Sequence, residues 1–476
     1  MKKIFTILLV IAFLSNVAFA AQSKGIKITV KGLENKQAIL AYYYENSKFI
    51  ADTLVFDKNA TLTIESPEKY ADGVYLLAFP DLKYTYFDFI IKEHQFTLAT
   101  DTADLVNHMK VKGSKENEVM YKDLYFMLPV GKENASLNQS LKDLNPKTQE
   151  YKVQKEKLDS NNIHISNSRS NLAKQYPNTL YGSLLSIMNS PNVPKEQLDK
   201  DRNWIDTTAT LTYIKQHYFD IINFKDSAYV RTPIFKSYLT KYFDMYANPN
   251  PDSLIVEIDK LIEKTKSNDL LYQYSLNTIF DKYAKSDIMG YDKIYIYLSD
   301  NYYLNGKAWW SEKESLDKLK KYIDEIRPTI IGNTAPNFIF RDSSYNTYNF
   351  YSLMNQHAYT LLIFWDSDCG HCKQEIPEIK AAYDSIKTLG VQVVSIAIDT
   401  DEKNFKAFAA KNCHTEWITG WDPYVQSAFR KEYNTSSTPK LYLINNSTKQ
   451  IKAKNLKVAD LYGYISYLIK MEANKN

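Results

Sequence analysis

Three hydrophobic patterns succeed one another along the chain. From residue 26 to about residue 100 apolar and polar positions alternate, and Ile26/Ile28/Val30, Leu62/Ile64, Val74/Leu76/Ala78 and Phe87/Phe89/Ile91 each place apolar side chains on one face of a strand. The short spacing of these runs, with Asp72-Gly73 as a turn, predicts a small antiparallel β-sandwich over 22–115, closed by Lys112-Gly113-Ser114. From about Glu116 to Pro328 the period becomes helical. Tyr121/Leu124/Tyr125/Leu128, Leu254/Ile258/Leu261/Ile262 and Leu316/Leu319/Tyr322/Ile323 form apolar stripes on otherwise charged segments, and recurrent prolines mark helix boundaries. An all-α domain over 116–330 is expected, with no fixed repeat length that would indicate a solenoid. Beyond Ile331 strands and helices alternate. The runs 359–365 and 391–398 are apolar and β-branched, as in a buried central sheet. Between them Ile376, Ile379, Tyr383, Ile386 and Leu389 mark one helical face that ends at Gly390. A helix over 403–411, a strand over 440–444 and a last helix bearing Leu461, Ile465 and Leu468 complete an α/β domain over 331–476.

The N-terminus adds a compartment. Lys2 and Lys3 precede an apolar run over 4–14, and Ala18-Phe19-Ala20 has the small-x-small pattern of a cleavage site, which predicts a signal peptide over 1–21. That run is shorter than the roughly 20 residues of a membrane span, and no cysteine follows it, which excludes a lipoprotein. The expected location is the periplasm or another extracytoplasmic compartment. Composition narrows the function classes further. The 59 Lys+Arg and 55 Asp+Glu leave a formal charge of +4 without a basic block, which argues against nucleic-acid binding. The 38 tyrosines suit amphipathic positions at core edges.

Cysteine is the informative residue. With only Cys369, Cys372 and Cys413, no disulfide framework holds the fold together. Cys369-Gly370-His371-Cys372 follows a buried strand and opens a helix, and Cys-x-x-Cys in that setting reads as a redox dithiol. Unpaired N–H groups and the positive end of the helix dipole stabilise a thiolate on Cys369. Only the thiolate attacks a disulfide, and Cys372, one turn on, is placed to resolve the mixed disulfide. Gly370 and His371 tune the pair, His371 as a cationic or hydrogen-bonding neighbour of the thiolate. A zinc site would need a second ligand pair, and Cys413-His414 does not supply regular spacing, so no metal and no cofactor are expected. Cys413 reads as a small buried apolar residue. Trp365, Trp417 and Trp421 read as packing aromatics.

The residues Ile331-Gly332-Asn333-Thr334-Ala335-Pro336-Asn337-Phe338, and Leu362-Ile363-Phe364-Trp365 leading into CGHC, resemble the thioredoxin superfamily. The similarity is to its TlpA/ResA-like extracytoplasmic thiol–disulfide oxidoreductases, which overlap with the AhpC/TSA peroxiredoxins. By that resemblance Pro377 is the helix-kinking proline and Glu375 the active-site glutamate. Thr438-Pro439 is likewise the cis-proline loop that packs against the dithiol and binds substrate. One departure stands out: Ile363 occupies the position of thioredoxin's buried aspartate, so Glu375 is the expected proton acceptor for Cys372. The regions before Ile331 resemble two Bacteroidota domains of unknown function, the first ending in Gly113-Ser114-x-x-Asn117.

The expected function is therefore an exported thiol–disulfide oxidoreductase exchanging disulfides with client proteins; the resemblance leans toward a reductase, whereas His371, by favouring the reduced form, pulls the couple toward an oxidant. The resemblance also implies electrons from a membrane thiol carrier. Two other readings stand beside it: a peroxidase of the AhpC/TSA type, for which the Pro-x-x-x-Thr-x-x-Cys frame is missing, and a binding module carrying a vestigial redox domain.

Overall fold

The computed structural model describes residues 25–473 apart from 46, 190, 192 and 200–202. The leader expected over 1–21 lies outside the described residues. The chain is a multidomain protein of β-sheet, helical and α/β regions in that order, gathered into two compact units. One comprises the described residues up to Tyr246 with Thr265–Tyr272, and the other comprises Ala247–Lys264 with the described residues from Gln273 onward.

In the first unit eight strands form two four-stranded sheets. They are β1 (Ile26–Lys31), β2 (Gln37–Tyr44), β3 (Ser47–Val55), β4 (Thr61–Ile64), β5 (Gly73–Phe79), β6 (Thr85–Ile91), β7 (Phe96–Asp101) and β8 (Lys110–Lys112). The sheets run β4-β1-β7-β8 and β3-β2-β5-β6. Ile26, Ile28 and Val30 from one sheet and Tyr75, Leu77, Phe79, Phe87 and Phe89 from the other meet in a common core. The expectation of antiparallel pairing is corrected at one place: β1 and β7 are parallel. The chain between them crosses through the opposite sheet and returns in its original direction, so no hairpin joins this pair.

Strand β5 is buried along its whole length, beyond the alternating burial that its sequence predicts. The reason is a second covering layer. A short 3₁₀ turn, Ser227–Arg231, packs on β5, and a Cβ on Gly73 would come within 2.5 Å of the Arg231 Cβ. Glycine at 73 permits that approach. The junction with the helices is also built from side chains. Ser114 caps α1 (Lys115–Asp143) by accepting from the Asn117 N–H. Asn117 in turn bonds to Ile90 on β6 as another strand would, accepting from its N–H and donating to its carbonyl, both at 2.8 Å. This is the structural content of the Gly113-Ser114-x-x-Asn117 motif. Helices α2 (Gln149–Gln175), α3 (Leu180–Met188), α4 (Thr207–His217) and α5 (Phe235–Met245) follow. The buried carboxylate of Glu116 accepts from the Leu180 and Tyr181 N–H groups at the start of α3.

Helices α6 (Pro251–Thr265), α7 (Asp269–Ala284), α8 (Asp292–Leu298) and α9 (Lys313–Ile326) complete the helical region. The expected stripe Leu254/Ile258/Leu261/Ile262 is fully buried on α6, whereas Tyr322 on α9 is exposed.

The α/β region is a seven-stranded sheet ordered β10-β9-β13-β12-β11-β14-β15. Its strands are β9 (Ile339–Arg341), β10 (Thr347–Asn349), β11 (Tyr359–Trp365), β12 (Val391–Ala397), β13 (Ile418–Trp421), β14 (Lys440–Asn445) and β15 (Ile451–Lys454). Central β11 pairs in parallel with β12 and antiparallel with β14. Both faces are covered. Helices α10 (Gly370–Lys387) and α11 (Glu402–Asn412) belong with one core, which contains Leu361, Ile363 and Trp365. The short α12 (Phe429–Glu432) belongs with the other, around Phe338, Phe364, Tyr433 and Tyr442. The C-terminal α13 (Leu461–Ala473) adds Leu461 and Ile465 to the first core. Among the described residues no helix is long and apolar enough to cross a membrane.

Candidate active site

Strand β11 ends at Trp365, and four residues later Cys369 serves as the N-cap of α10, with φ −72° and ψ 122°. The cap residue's extended backbone turns its side chain back over the open end of the helix, so the Cys369 Sγ accepts from the Cys372 N–H at 3.4 Å. Helix α10 starts where an apolar stripe begins. Cys372, Ile376, Ile379, Tyr383 and Ile386 are buried against the sheet, and the helix continues through Pro377. This stripe leaves Cys369 partly exposed and puts Cys372 behind it at zero exposure.

The third wall is the loop before β14. Thr438 and Pro439 are half-buried and joined by a cis peptide bond. The Cys369 thiol donates to the Thr438 carbonyl at 3.1 Å. The proton affinities of the two thiols diverge. Burial pushes Cys369 up, but it is outweighed by hydrogen bonds from the Thr438 side chain, the Cys372 and His371 backbone N–H groups and the Cys372 thiol, and the net direction is down. Burial pushes Cys372 up to about 12, against weaker help from the Asp366 N–H and Thr438. His371 therefore acts on Cys369 through its backbone while its side chain is exposed. Gly370 is the first residue of the helix, with nothing within 4 Å of where a Cβ would stand.

Glu375 lies half-buried one turn after Cys372 and makes no hydrogen bond to either thiol. Ile363 is fully buried in the core beneath. Cys413 is buried, its thiol pushed up by burial and set 3.5 Å from the Ser395 hydroxyl. That hydroxyl also accepts from the Trp365 indole N–H at 2.7 Å. Trp417 and Trp421 are buried in the same core. Among the described residues no cluster of His, Cys, Asp or Glu is arranged to hold a metal ion. One contact had no signal in the sequence: Asp399, 32 residues beyond Ser367, binds that residue just ahead of Cys369.

The divergence of the two thiols has a direct chemical consequence. In the folded, reduced protein, iodoacetamide at neutral pH is expected to modify Cys369 alone, with a titration midpoint below the ~8.5 of an ordinary thiol. Peptide mass mapping after a short pulse checks this, and first labelling at Cys372 or Cys413 would contradict it.

Comparison with known proteins bears on the α/β region and on the regions before it. The AhpC/TSA family model matches residues 331–453. Two domains of unknown function, DUF4369 and DUF5106, match residues 25–120 and 148–327. A thioredoxin-like protein of Haemophilus influenzae is 27% identical over 135 residues, 28% of this chain and 76% of that protein. The thiol-disulfide oxidoreductase ResA of Bacillus subtilis is 27% identical over 124 residues, 25% of this chain and 65% of its own length. The chain thus spans just under two thirds of ResA. Among solved structures, a thioredoxin-like protein from Bacteroides caccae is 21% identical and covers 58% of this chain and 97% of that one, with a TM-score of 0.46. Residues 331–453 therefore form a thioredoxin-like domain of the AhpC/TSA family, carried behind two domains of unknown function.

Proposed function

We propose that the protein is an exported thiol–disulfide oxidoreductase that exchanges disulfides with client proteins through Cys369 and Cys372, working as a reductase. The observation that carries this reading is the split environment of the pair, a partly exposed cap thiol favoured as thiolate and a fully buried thiol behind it. In this reading the Cys369 thiolate attacks one sulfur of a client disulfide, forming a mixed disulfide and releasing the other client sulfur as thiolate. Cys372, its proton passed to Glu375 or water, then attacks the Cys369 sulfur. This forms the Cys369–Cys372 disulfide and releases the second client thiolate. The client backbone docks beside Thr438 and Pro439. A membrane thiol carrier returns two electrons and two protons to the pair.

The test is reduction of a disulfide-bonded protein such as insulin, with a small dithiol regenerating the enzyme. Acceleration over the dithiol alone, lost in Cys369→Ser, is expected. Wild-type protein that gives no acceleration sinks the reading. The family match also raises a thiol peroxidase, but Leu362 and Asp366 stand where that frame has Pro and Thr. Peroxide consumption in the same preparation is expected to stay at the rate of the dithiol.

A further inference from the structure

Between the end of β11 and the cap of α10 the chain makes a turn, Asp366-Ser367-Asp368, that sets where Cys369 enters the helix. Its middle residue is held from another strand. The buried Ser367 donates its backbone N–H to Asp399 Oδ2 at 2.9 Å and its hydroxyl to Asp399 Oδ1 at 2.8 Å. Asp399 follows β12 by two residues, and the Ile398 N–H still bonds to the Trp365 carbonyl at 2.8 Å. The parallel ladder thus delivers the carboxylate to the turn. Another anchor of the turn is on the cysteine itself: the Cys369 N–H donates to the Asp366 carbonyl at 3.2 Å.

This carboxylate sits in costly surroundings. Burial foremost, then the neighbouring charges of Asp366 and Asp368, push its proton affinity up, and the two bonds from Ser367 pull it back. The Arg430 guanidinium, which reaches the neighbouring Ile398 carbonyl, is also engaged with the Asp422 carboxylate and carbonyl. Both hydrogen bonds of the Asp399 carboxylate go to one residue of the turn, Ser367. What it orders is the turn.

We infer that Asp399 is a positioning residue for the dithiol, clamping Ser367 so that the turn over 366–369 presents Cys369 to the N–H groups that favour its thiolate. The inference rests on the reading of Cys369 and Cys372 as the reactive pair. Two effects of removing Asp399 oppose each other. Loss of a nearby negative charge favours the thiolate, whereas loss of the clamp misaligns its donors and disfavours it.

The experiment follows the pH dependence of Cys369 alkylation in full-length wild type, Asp399→Ala, Asp399→Asn and Ser367→Ala, alongside insulin reduction. With Asp399→Ala the midpoint is expected to rise by about one pH unit, a roughly tenfold loss of thiolate near neutral pH. Ser367→Ala, which keeps the backbone bond, shifts it upward by less and supplies the same readout if the aspartate variants fail to fold. An unchanged or lowered midpoint in Asp399→Ala and Ser367→Ala overturns the inference, whatever the melting temperatures do. Wild-type protein inactive on insulin, with the midpoint still rising in the variants, overturns the reductase reading and leaves the positioning role standing.

Discussion

Cys372→Ser should turn the protein into a trap that holds its clients as mixed disulfides. The variant keeps the Cys369 thiolate and the N–H groups that favour it, so attack on a client disulfide proceeds. The second step is removed, because a serine hydroxyl does not attack a disulfide. In the proposed reaction that step is intramolecular, from a sulfur buried behind the cap, and effective molarities of well-oriented neighbours reach on the order of 10⁵ M or more. An external thiol at millimolar concentration replaces it many orders of magnitude more slowly. Incubation of Cys372→Ser with oxidised insulin should therefore give covalent adducts on a non-reducing gel that disappear with dithiothreitol. Cys369→Ser should give none. Adducts of equal yield in both variants, or in neither, would show that Cys369 is not the attacking sulfur.

The second large effect is on stability. Trp365 is fully buried at the last position of β11, stacked on Phe408 at 4.4 Å and on Phe405 at 6.1 Å. Phe405 stacks in turn on Trp421 at 4.9 Å. The indole N–H is satisfied by the buried Ser395 hydroxyl. Trp365→Ala deletes the largest side chain under the active-site turn and leaves Ser395 without its donor. Removal of a buried aromatic costs about 3–5 kcal/mol, which for a region of this size lowers its melting temperature by roughly 10 °C. Trp365→Phe keeps the stack and loses only the hydrogen bond, about 1 kcal/mol. Denaturant titration and calorimetry on both variants check this. Equal losses in the two would mean that the hydrogen bond, and not the stack, carries the residue's contribution.

These expectations draw on different levels of the molecule. The CGHC pair and the strand before it were legible because a thiolate needs a helix start, and both cysteines lie within one turn. The sandwich strands and helix stripes were legible for a similar reason, since burial on one face imposes a period of two or of 3.6. The parallel β1–β7 pair was not, because a period of two states which face is buried and not which strand lies alongside. The complete burial of β5 depended on a segment about 150 residues away, and the role of Asn117 on a strand partner 27 residues back. Asp399 is the sharpest case. Nothing in its neighbourhood distinguishes it from any polar residue at a strand end, and only the pairing of β12 with β11 brings it to Ser367.

The sequence by itself determined the order of β-sheet, helical and α/β regions and which cysteine opens the helix, because these follow from short-range periodicity and from backbone groups left open at a helix end; it marked Cys369 and Cys372 as the proposed reactive pair. Tertiary structure decided what surrounds that pair: Thr438 against the Cys369 sulfur, Ile363 and Trp365 beneath, Asp399 behind the turn. Burial and the Thr438 loop join the local N–H groups in setting the proton affinities of the two thiols apart, and no spacing along the chain encodes which remote loop that is.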